Sequence, residues 1–289
     1  MQRLDLDLGS RLVPYREAWE LQRQVHGEVA AARRGPTLVL VEHESVYTVG
    51  RRTHSWERPA SDDVEGVPVI DVDRGGKTTW HGPGQLTVYP IVRLARPIDV
   101  IKYVRALEAA VMEVCAAYGV GTRRVAGRSG VWVPADPAPA DPAGLPAPGG
   151  RHPETPTAET RRSDRPAPGG RHGEGVGGRV GGSGPPPPGP RPERKICALG
   201  VRVARGATMH GIGLNVDPDL EAFSLSRIIP CGIDDAGVTS LSAETGRPLA
   251  TADPADALTA ALERNLAPLV ADAAPRGRRR PLMTDAAPS

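Results

Sequence analysis

Residues 135–193 decide what the rest of the chain can build. The stretch is close to half proline plus glycine, has no aromatic residue and offers only scattered Val and Leu. Such a segment cannot bury enough apolar surface to offset its conformational entropy, so it is expected to be a disordered insertion lying outside any core. The heptapeptide "PAPGGRH" occurs in it twice, at 146–152 and 166–172, which fits repeat expansion in low-complexity sequence better than a structural period. The last residues, 273–289, carry a similar composition and are expected to form a disordered tail. Any core must therefore come from residues 1–134 and 194–272, joined across the insertion as one domain.

The two flanks carry strong patterns. "PYREAWELQRQVHGEVAAARRG" opens on Pro14 and places Tyr15, Ala18, Trp19, Leu21, Val25 and Val29 largely on one side at helical spacing. "TLVLVEH" and "SVYTVG" read as two strands separated by a short turn, "VPVIDVDRGG" as a strand running into a glycine loop, and "QLTVYPIVRL" as another strand. "DVIKYVRALEAAVMEVCAAYG" is the clearest helix, with a stripe of Val100, Val104, Leu107, Val111, Val114 and Tyr118 and a stop at Gly119. Short strands follow at "TRRV" and "GVWV". Beyond the insertion, "KICALGVRVARGATMHGIGLNV" reads as a hairpin turning at "ARGA". "DPADALTAALERNLAPLV" reads as a final helix with Asp253 as N-cap and Leu258, Leu262, Leu266 and Leu269 as its buried face. Strands outnumber helices, and most consecutive strands are close enough to pair antiparallel. The class is mixed α/β, a single domain centred on a sheet.

Composition narrows the function classes. The net charge of +2 implies no strong electrostatic partner for the chain as a whole. Three cysteines, Cys115, Cys197 and Cys231, have neither metal-ligand nor CxxC spacing, which argues against a disulfide framework and a zinc site. No metal and no cofactor is expected. The N-terminus has no apolar signal segment, and no later run approaches the length of a membrane span. A reducing cytoplasm is the expected setting, with no membrane partner.

Four features could carry chemistry. "DRGGKTTWHGPGQL", residues 73–86, interleaves Arg74, Lys77 and His81 with glycines. It is neither a Walker loop nor a dinucleotide-binding turn. An ordinary hairpin loop would account for its glycines but not for its polar residues between apolar strands. Lys195 opens an apolar strand and is one of only three lysines among 36 basic residues; at a strand start, solvent exposure is its default. His210 and Asn215 sit among glycines in "TMHGIGLNV", where a hydrogen-bonded histidine without further role is the default. Cys231 differs from the other two cysteines. In "PCG" a proline fixes the approach and a glycine frees the exit, so the thiol can be presented rather than packed. An active thiolate there needs a cationic neighbour, for which a lysine that changes protonation state when buried is suited.

Taken in order, "EHESVYTVGRR", "DRGGKTTWHGPGQLTVYPI", "KICALGVRV", "MHGIGLNV" and "IIPCGIDDAGVTSL" closely resemble the lipoyl(octanoyl) transferases. The resemblance runs from residue 1 to about 250, leaving out the insertion. Trp80 stands where that family's pattern has tyrosine, and "SLSRII" before Pro230 is longer than its usual spacing. The resemblance implies a single mixed-sheet domain of the biotin and lipoate protein ligase type. It also implies a reaction in which octanoyl passes from octanoyl-acyl carrier protein, through a cysteine thioester, to a lysine of an apo lipoyl domain. The acceptors it implies are lipoyl domains of 2-oxoacid dehydrogenase E2 subunits and the glycine cleavage H protein. By the same resemblance Cys231 is the acyl carrier and Lys195 the active-site lysine. The acyl-binding segment falls on Arg74, Gly75, Gly76 and Lys77, continuing through Thr78, Thr79, Trp80 and His81. Further contacts fall on Ala198, Leu199 and Gly200 and on Gly211, Ile212 and Gly213.

Two other readings compete. An ATP-dependent lipoate or biotin-type ligase would share the fold but has no need of Cys231, and the GRGRxxR-type loop of biotin ligases is absent. A nucleic-acid-binding scaffold on an inactive core would draw on the Arg and Gly content of the insertion, although no nucleic-acid partner is expected from the rest of the chain.

Overall fold

The computed structural model describes residues 1–137, 189–224, 227–228 and 236–271. The expected insertion falls largely, the tail wholly, and the turn bearing Cys231 wholly, outside the described residues. Met1–Asp136 and the chain from Pro192 onward form one compact unit.

The chain begins with β1 (Gln2–Leu6) and α1 (Tyr15–Ala30). Buried Tyr15, Ala18, Trp19, Gln22, Val25, His26 and Val29 recur at three- and four-residue spacing, which is why this stretch is helical and which face it buries. Next come β2 (Thr37–Val41), β3 (Val46–Val49), β4 (Asp63–Val64), β5 (Val67–Asp71), β6 (Thr79–His81) and β7 (Gln85–Ile91). Helix α2 (Val100–Ala117) starts where Asp99 Oδ1 accepts the Lys102 N–H at 2.9 Å and stops at Gly119, whose φ of 77° few other residues adopt. Strands β8 (Arg123–Val125), β9 (Arg128–Val133), β10 (Arg194–Ala204), β11 (Ala207–Asn215) and β12 (Gly237–Val238) follow. Helices α3 (Leu241–Thr245) and α4 (Ala255–Leu266) complete the described chain.

Among the described residues the strands form two sheets. The larger runs β1-β2-β7-β11-β10-β9-β8, with β12 also pairing β10; the smaller runs β4-β5-β3-β6. The larger sheet is covered on both faces, so β2 and β7 are buried throughout and mostly apolar. On one face Leu38, Leu40, Val88, Ile212 and Leu214 pack with Leu107, Val111 and Val114 of α2 and Leu258 and Leu262 of α4. On the other, Val39, Val41, Tyr89 and Ile91 pack with Ala18, Val25 and Val29 of α1. Tyr15 and Trp19 of α1 also join Val46, Ile70 and Val72 of the smaller sheet.

The fold class expected from the sequence is the one observed, and the hairpin is there: β10 and β11 pair antiparallel from Cys197↔Leu214 to Ala204↔Ala207. Local readings need correcting. Strands β2 and β3 do not pair but enter different sheets, and three pairings, β1 with β2, β3 with β5 and β10 with β12, are parallel. Val100, assigned to the apolar stripe of α2, is exposed, as is Ile101 beside it in the first turn. Asp253 does not cap α4; its carboxylate accepts the Ala250 N–H at 2.8 Å, and Pro254 occupies the cap position. Leu269 lies beyond the end of α4, half-buried in a following 3-10 turn.

Candidate active site

A cavity of about 430 Å³ opens along the α1 face of the larger sheet. Its floor is the β10–β11 hairpin and its roof the loop between β5 and β6. The roof is fixed by backbone bonds: the Gly75 N–H reaches Val201 O at 2.9 Å, Arg51 N–H reaches Arg74 O and Arg52 N–H reaches Gly76 O, both at 3.1 Å. Arg74 is buried, and its guanidinium donates to Thr48 O and Oγ1 and to Lys77 O at 2.7 to 2.8 Å. Arg74 thus ties the glycine loop to β3. This close approach explains Gly200 in the floor, where a Cβ would lie 2.8 Å from Arg74 Cδ and 3.0 Å from Gly75 O.

Lys195 stands at one end of the cavity and is buried, against the sequence default of exposure. A β-bulge explains how a strand start can aim a lysine inward. On β9 the partners of Arg194, Lys195 and Cys197 are Val133, Trp132 and Val131, so Ile196 has no partner of its own. The extra residue breaks the alternation: Ile196 and Cys197 both join the α2 core while Lys195 lines the cavity. Its Nζ lies 5.0 Å from the centre of the Trp132 ring, a cation–π contact. A Cβ on Gly130 would come within 2.4 Å of Lys195 Cε. No carboxylate among the described residues pairs with this lysine. On the far side of β10, Lys195 pairs with Val238 of β12, and Thr239 N–H donates to Lys195 O at 2.9 Å.

The cavity is lined by most of the residues singled out in the sequence. Arg74, Gly76, Lys77, Thr79 and His81 come from the roof and β6; Ala198, Leu199, Gly200, Gly211, Ile212 and Gly213 come from the floor. Gly75, Thr78 and Trp80 do not line it. Gly75 is spent on docking to β10. Thr78 is fully buried with its Oγ1 3.4 Å from Thr53 Oγ1. Trp80 alternates to the other side of β6 and packs edge-on to Phe223 at 5.3 Å. Lys77 is paired with Glu57. Cys231 lies outside the described residues; Ile228, three positions before it, is buried with Tyr47, Trp80 and Phe223, and β12 begins six positions after it.

Buried polar groups surround the inner wall. His81 Nδ1 lies 2.7 Å from Gln85 Oε1, Gln85 Nε2 donates to Asn215 Oδ1 at 3.0 Å, and Asn215 Nδ2 donates to Thr239 O at 3.0 Å. Burial, reinforced by the charges of neighbouring histidine and arginine, holds His81 well below the ordinary imidazole range, so it is neutral at pH 7. His43 sits between Val13 O at 3.0 Å and Tyr89 Oη at 2.7 Å, and burial pushes it down to about 4. Burial pushes the Cys115 thiol up to about 12 and Cys197 well above its usual range. Both behave as the small buried hydrophobes expected of them.

His210 is the residue that sequence reasoning undervalued. Its Nε2 lies 2.7 Å from Asp73 Oδ1, and Asp73 also pairs with Arg202. That much is the hydrogen-bonded histidine expected. Its other nitrogen, Nδ1, is buried with no partner, and its φ is 61°. In regular strand Met209 and His210 would face opposite sides, yet Met209 packs with Tyr15 and Trp19 while the His210 ring lies 6.2 Å from that of Trp19. The left-handed residue turns both to the α1 side, at a cost of roughly 1 kcal/mol. The legible hint was a histidine held among glycines in an apolar strand. Among the described residues no group of three or more His, Cys, Asp and Glu is placed to hold a metal ion.

Comparison with known proteins gives a consistent picture. The model of the lipoyl protein ligase A/B catalytic domain matches residues 14–263. A protein of Streptomyces coelicolor named octanoyltransferase is 51% identical over 242 residues, 84% of each chain. Octanoyltransferases of Salinispora tropica (46% over 239 residues, 83% of this chain and 85% of that one) and Streptomyces griseus (47% over 286 residues, 98% and 96%) are similarly related. Among solved structures, a bipartite lipoate protein ligase of Thermoplasma acidophilum superposes with a TM-score of 0.52 at 14% identity, covering 92% of this chain and 84% of the other. P. falciparum LipL1, solved with lipoate, gives 0.54 at 10% identity, covering 92% and 62%. Both show likeness of fold.

Proposed function

Because the chain belongs to the lipoyl protein ligase A/B catalytic domain family, we propose that it is an acyltransferase that moves octanoyl from octanoyl-acyl carrier protein to a lysine of apo lipoyl domains through a Cys231 thioester. The observation that carries this reading is the buried Lys195 at one end of a cavity whose roof and floor are the two glycine-containing segments.

The chemistry follows from the groups available. In the first half, the Cys231 thiolate attacks the donor carbonyl, the new C–S bond forms, and the carrier's thiolate leaves and takes a proton. A buried ammonium at Lys195 stabilises the attacking thiolate and can supply that proton. In the second half the acceptor lysine arrives as ammonium and must lose a proton before its nitrogen can attack. Lys195, neutral after the first half, accepts it; the C–N bond forms, the C–S bond to Cys231 breaks, and the second nitrogen proton goes to the departing thiolate and from it to solvent, which restores the thiolate and the Lys195 ammonium. Backbone N–H groups of the roof or of the Cys231 turn are the candidate oxyanion donors. His81, neutral and fixed through Gln85, orients the reacting groups. Ala198, Gly200, Gly211 and Gly213 leave room for the alkyl chain.

Chain geometry supports bringing Cys231 to Lys195. Cys231 lies seven positions before Val238, the partner of Lys195; a stretch of that length spans at most about 25 Å. The acceptors proposed are lipoyl domains of 2-oxoacid dehydrogenase E2 subunits and the glycine cleavage H protein, and the setting is the cytoplasm. Among the described residues no helix is long and apolar enough to cross a membrane.

Intact-mass analysis after mixing with octanoyl-acyl carrier protein tests the mechanism. Wild-type protein should gain one octanoyl group that hydroxylamine removes, without ATP. Cys231→Ala should gain none, and Lys195→Met should slow acylation on the order of 100-fold or more while staying folded. An adduct that survives Cys231→Ala would overturn the thioester; a requirement for ATP would move the protein to the ligases.

A further inference from the structure

A chain of directed hydrogen bonds fixes one nitrogen of His81 as an acceptor that faces the cavity. The direction is set at the far end, by a main-chain carbonyl. Thr239 O can only accept, so the Asn215 side chain turns Nδ2 to it at 3.0 Å and leaves Oδ1 for Gln85. Gln85 must then present Nε2 to Asn215, at 3.0 Å, and Trp80 O, a second carbonyl, takes the same amide group at 3.3 Å. What Gln85 has left for His81 is Oε1, so His81 Nδ1 carries the proton across their 2.7 Å bond. Two carbonyls thus decide the orientation of both amides. Burial keeps the imidazole neutral, and with Nδ1 protonated its lone pair lies on Nε2. That nitrogen has no protein partner among the described residues and is not one of the sealed polar atoms; His81 lines the cavity, and the lone pair opens on it.

The sheet register places this acceptor at the Lys195 end. Gln85 pairs with Asn215 across β7 and β11. Asn215 follows Leu214, the partner of Cys197, so it stands level with the bulge that aims Lys195 inward. The Gln85 side chain lies over Gly213 in the cavity floor, where a Cβ would come within 2.8 Å of Oε1. One strand separates β7 from β10, so the backbones of Gln85 and Lys195 are about 10 Å apart across the floor. Thr239, which takes Asn215 Nδ2, donates its own N–H to Lys195 O at 2.9 Å. His81 and Lys195 therefore flank the same end of the cavity, braced by one chain through Gln85, Asn215 and Thr239.

We propose that His81 Nε2 receives the one N–H of the acceptor lysine that survives into the product amide, and that Gln85 and Asn215 are the positioning residues that hold the imidazole in this tautomer. The proposal rests on the reading that a lysine amine attacks a Cys231 thioester beside Lys195. In the first half neither the thioester group nor a cysteine thiolate carries a hydrogen to donate, so an acceptor has nothing to bind there. The incoming ammonium brings three. One proton passes to Lys195, one leaves by way of the departing thiolate, and the third stays on nitrogen from entry to product and needs a partner throughout. Holding that N–H turns the nitrogen lone pair towards the thioester carbon. His81 takes no proton itself, and a lone pair at Nε2 excludes it as an oxyanion donor.

Nitrogen-15 NMR of the full chain, with His81 assigned from the uniformly labelled protein, reads the tautomer directly. At pH 7 wild type should show a protonated Nδ1 and a bare Nε2, and Gln85→Leu should bring in the Nε2–H form. N-butyloctanamide, which has the product's N–H, and butyl octanoate, which has none, probe the contact without turnover. The amide should move the His81 Nε2 resonance and the ester should not, and the preference in binding for amide over ester should fall about tenfold in His81→Leu, the equivalent of one buried hydrogen bond. In single-turnover mass measurements His81→Leu and Gln85→Leu should slow transfer to a lipoyl domain at least tenfold more than they slow acylation of Cys231. An Nε2–H tautomer in wild type, an Nε2 resonance that the amide leaves unmoved, or equal slowing of the two halves would overturn the proposal. Failure of wild type to transfer any acyl group would instead sink the functional reading, while the tautomer and the response to the amide would still decide the acceptor at His81.

Discussion

His43 lies within 5.3 to 6.0 Å, ring to ring, of Tyr15, His81 and Tyr89, and it shows how single residues set the pH limits of this protein. Its folded-state value of about 4 is below the unfolded value of 6.5 because burial disfavours the cation. Above pH 6.5 the ring is neutral in both states and costs nothing. As pH falls from 6.5 towards 4, only the unfolded chain takes up the proton, so stability is lost across that window, by about 3 kcal/mol for this group. His81 and His210 are shifted the same way, by burial foremost, and add to the slope. Denaturant unfolding between pH 7 and 4 should show the loss, and His43→Gln should flatten it; an unchanged slope would mean that His43 is not held neutral. Residue types made some of the site legible in the sequence. A rare lysine in an arginine-rich chain and a glycine loop studded with polar groups stand out by composition. The His210–Asp73 pair does not, because its members are 137 residues apart and neither carries an unusual spacing.

At the scale of elements, Glu108 joins α2 to the hairpin that supports Lys195. Its side chain is fully buried, takes Arg105 at 2.7 Å and Arg124 at 3.0 Å, and accepts the Gly130 N–H at 3.2 Å. Gly130 in turn makes way for Lys195. Glu108→Ala should therefore cost about 2 kcal/mol, since one buried N–H loses its partner while the two arginines can still reach water. It should also slow transfer more than a remote change of equal stability cost; denaturant titration and steady-state rates measured on the same sample separate the two effects. Elements with a regular period were readable: α1, α2 and the β10–β11 hairpin follow their apolar spacing. The smaller sheet was not, because β4 and β6 have two and three residues, too few to show a period. The separation of β2 from β3 depends on long-range pairing, for which a short intervening segment gives no sign.

For the whole molecule, the insertion is the test of how autonomous the core is. Val133 and Arg194 are paired across it, so the sixty residues between them leave and return at one place. Removing residues 138–188 would leave nine, enough to close a hairpin. If the insertion is the unstructured loop that its composition predicts, deletion lowers the entropy cost of closure by about 1.5 kcal/mol and raises Tm by about 4 °C. Transfer rates should be unchanged; a marked loss of activity in a folded deletion would give the insertion a role at the site. The overall class was legible because the flanks alone carried periodic apolar residues. What holds Lys195 was not, since its partners on β9 and β12 are distant in sequence, and here the pairing of Val238 with Lys195 acquires a wider meaning. Strand β10 is clasped on both edges where its lysine emerges, by β9 and by β12. A change in the length of chain before β10, or between Phe223 and β12, is therefore not passed directly on to the lysine. A chain built so can lengthen on either side of Lys195 and still hold that lysine in one place.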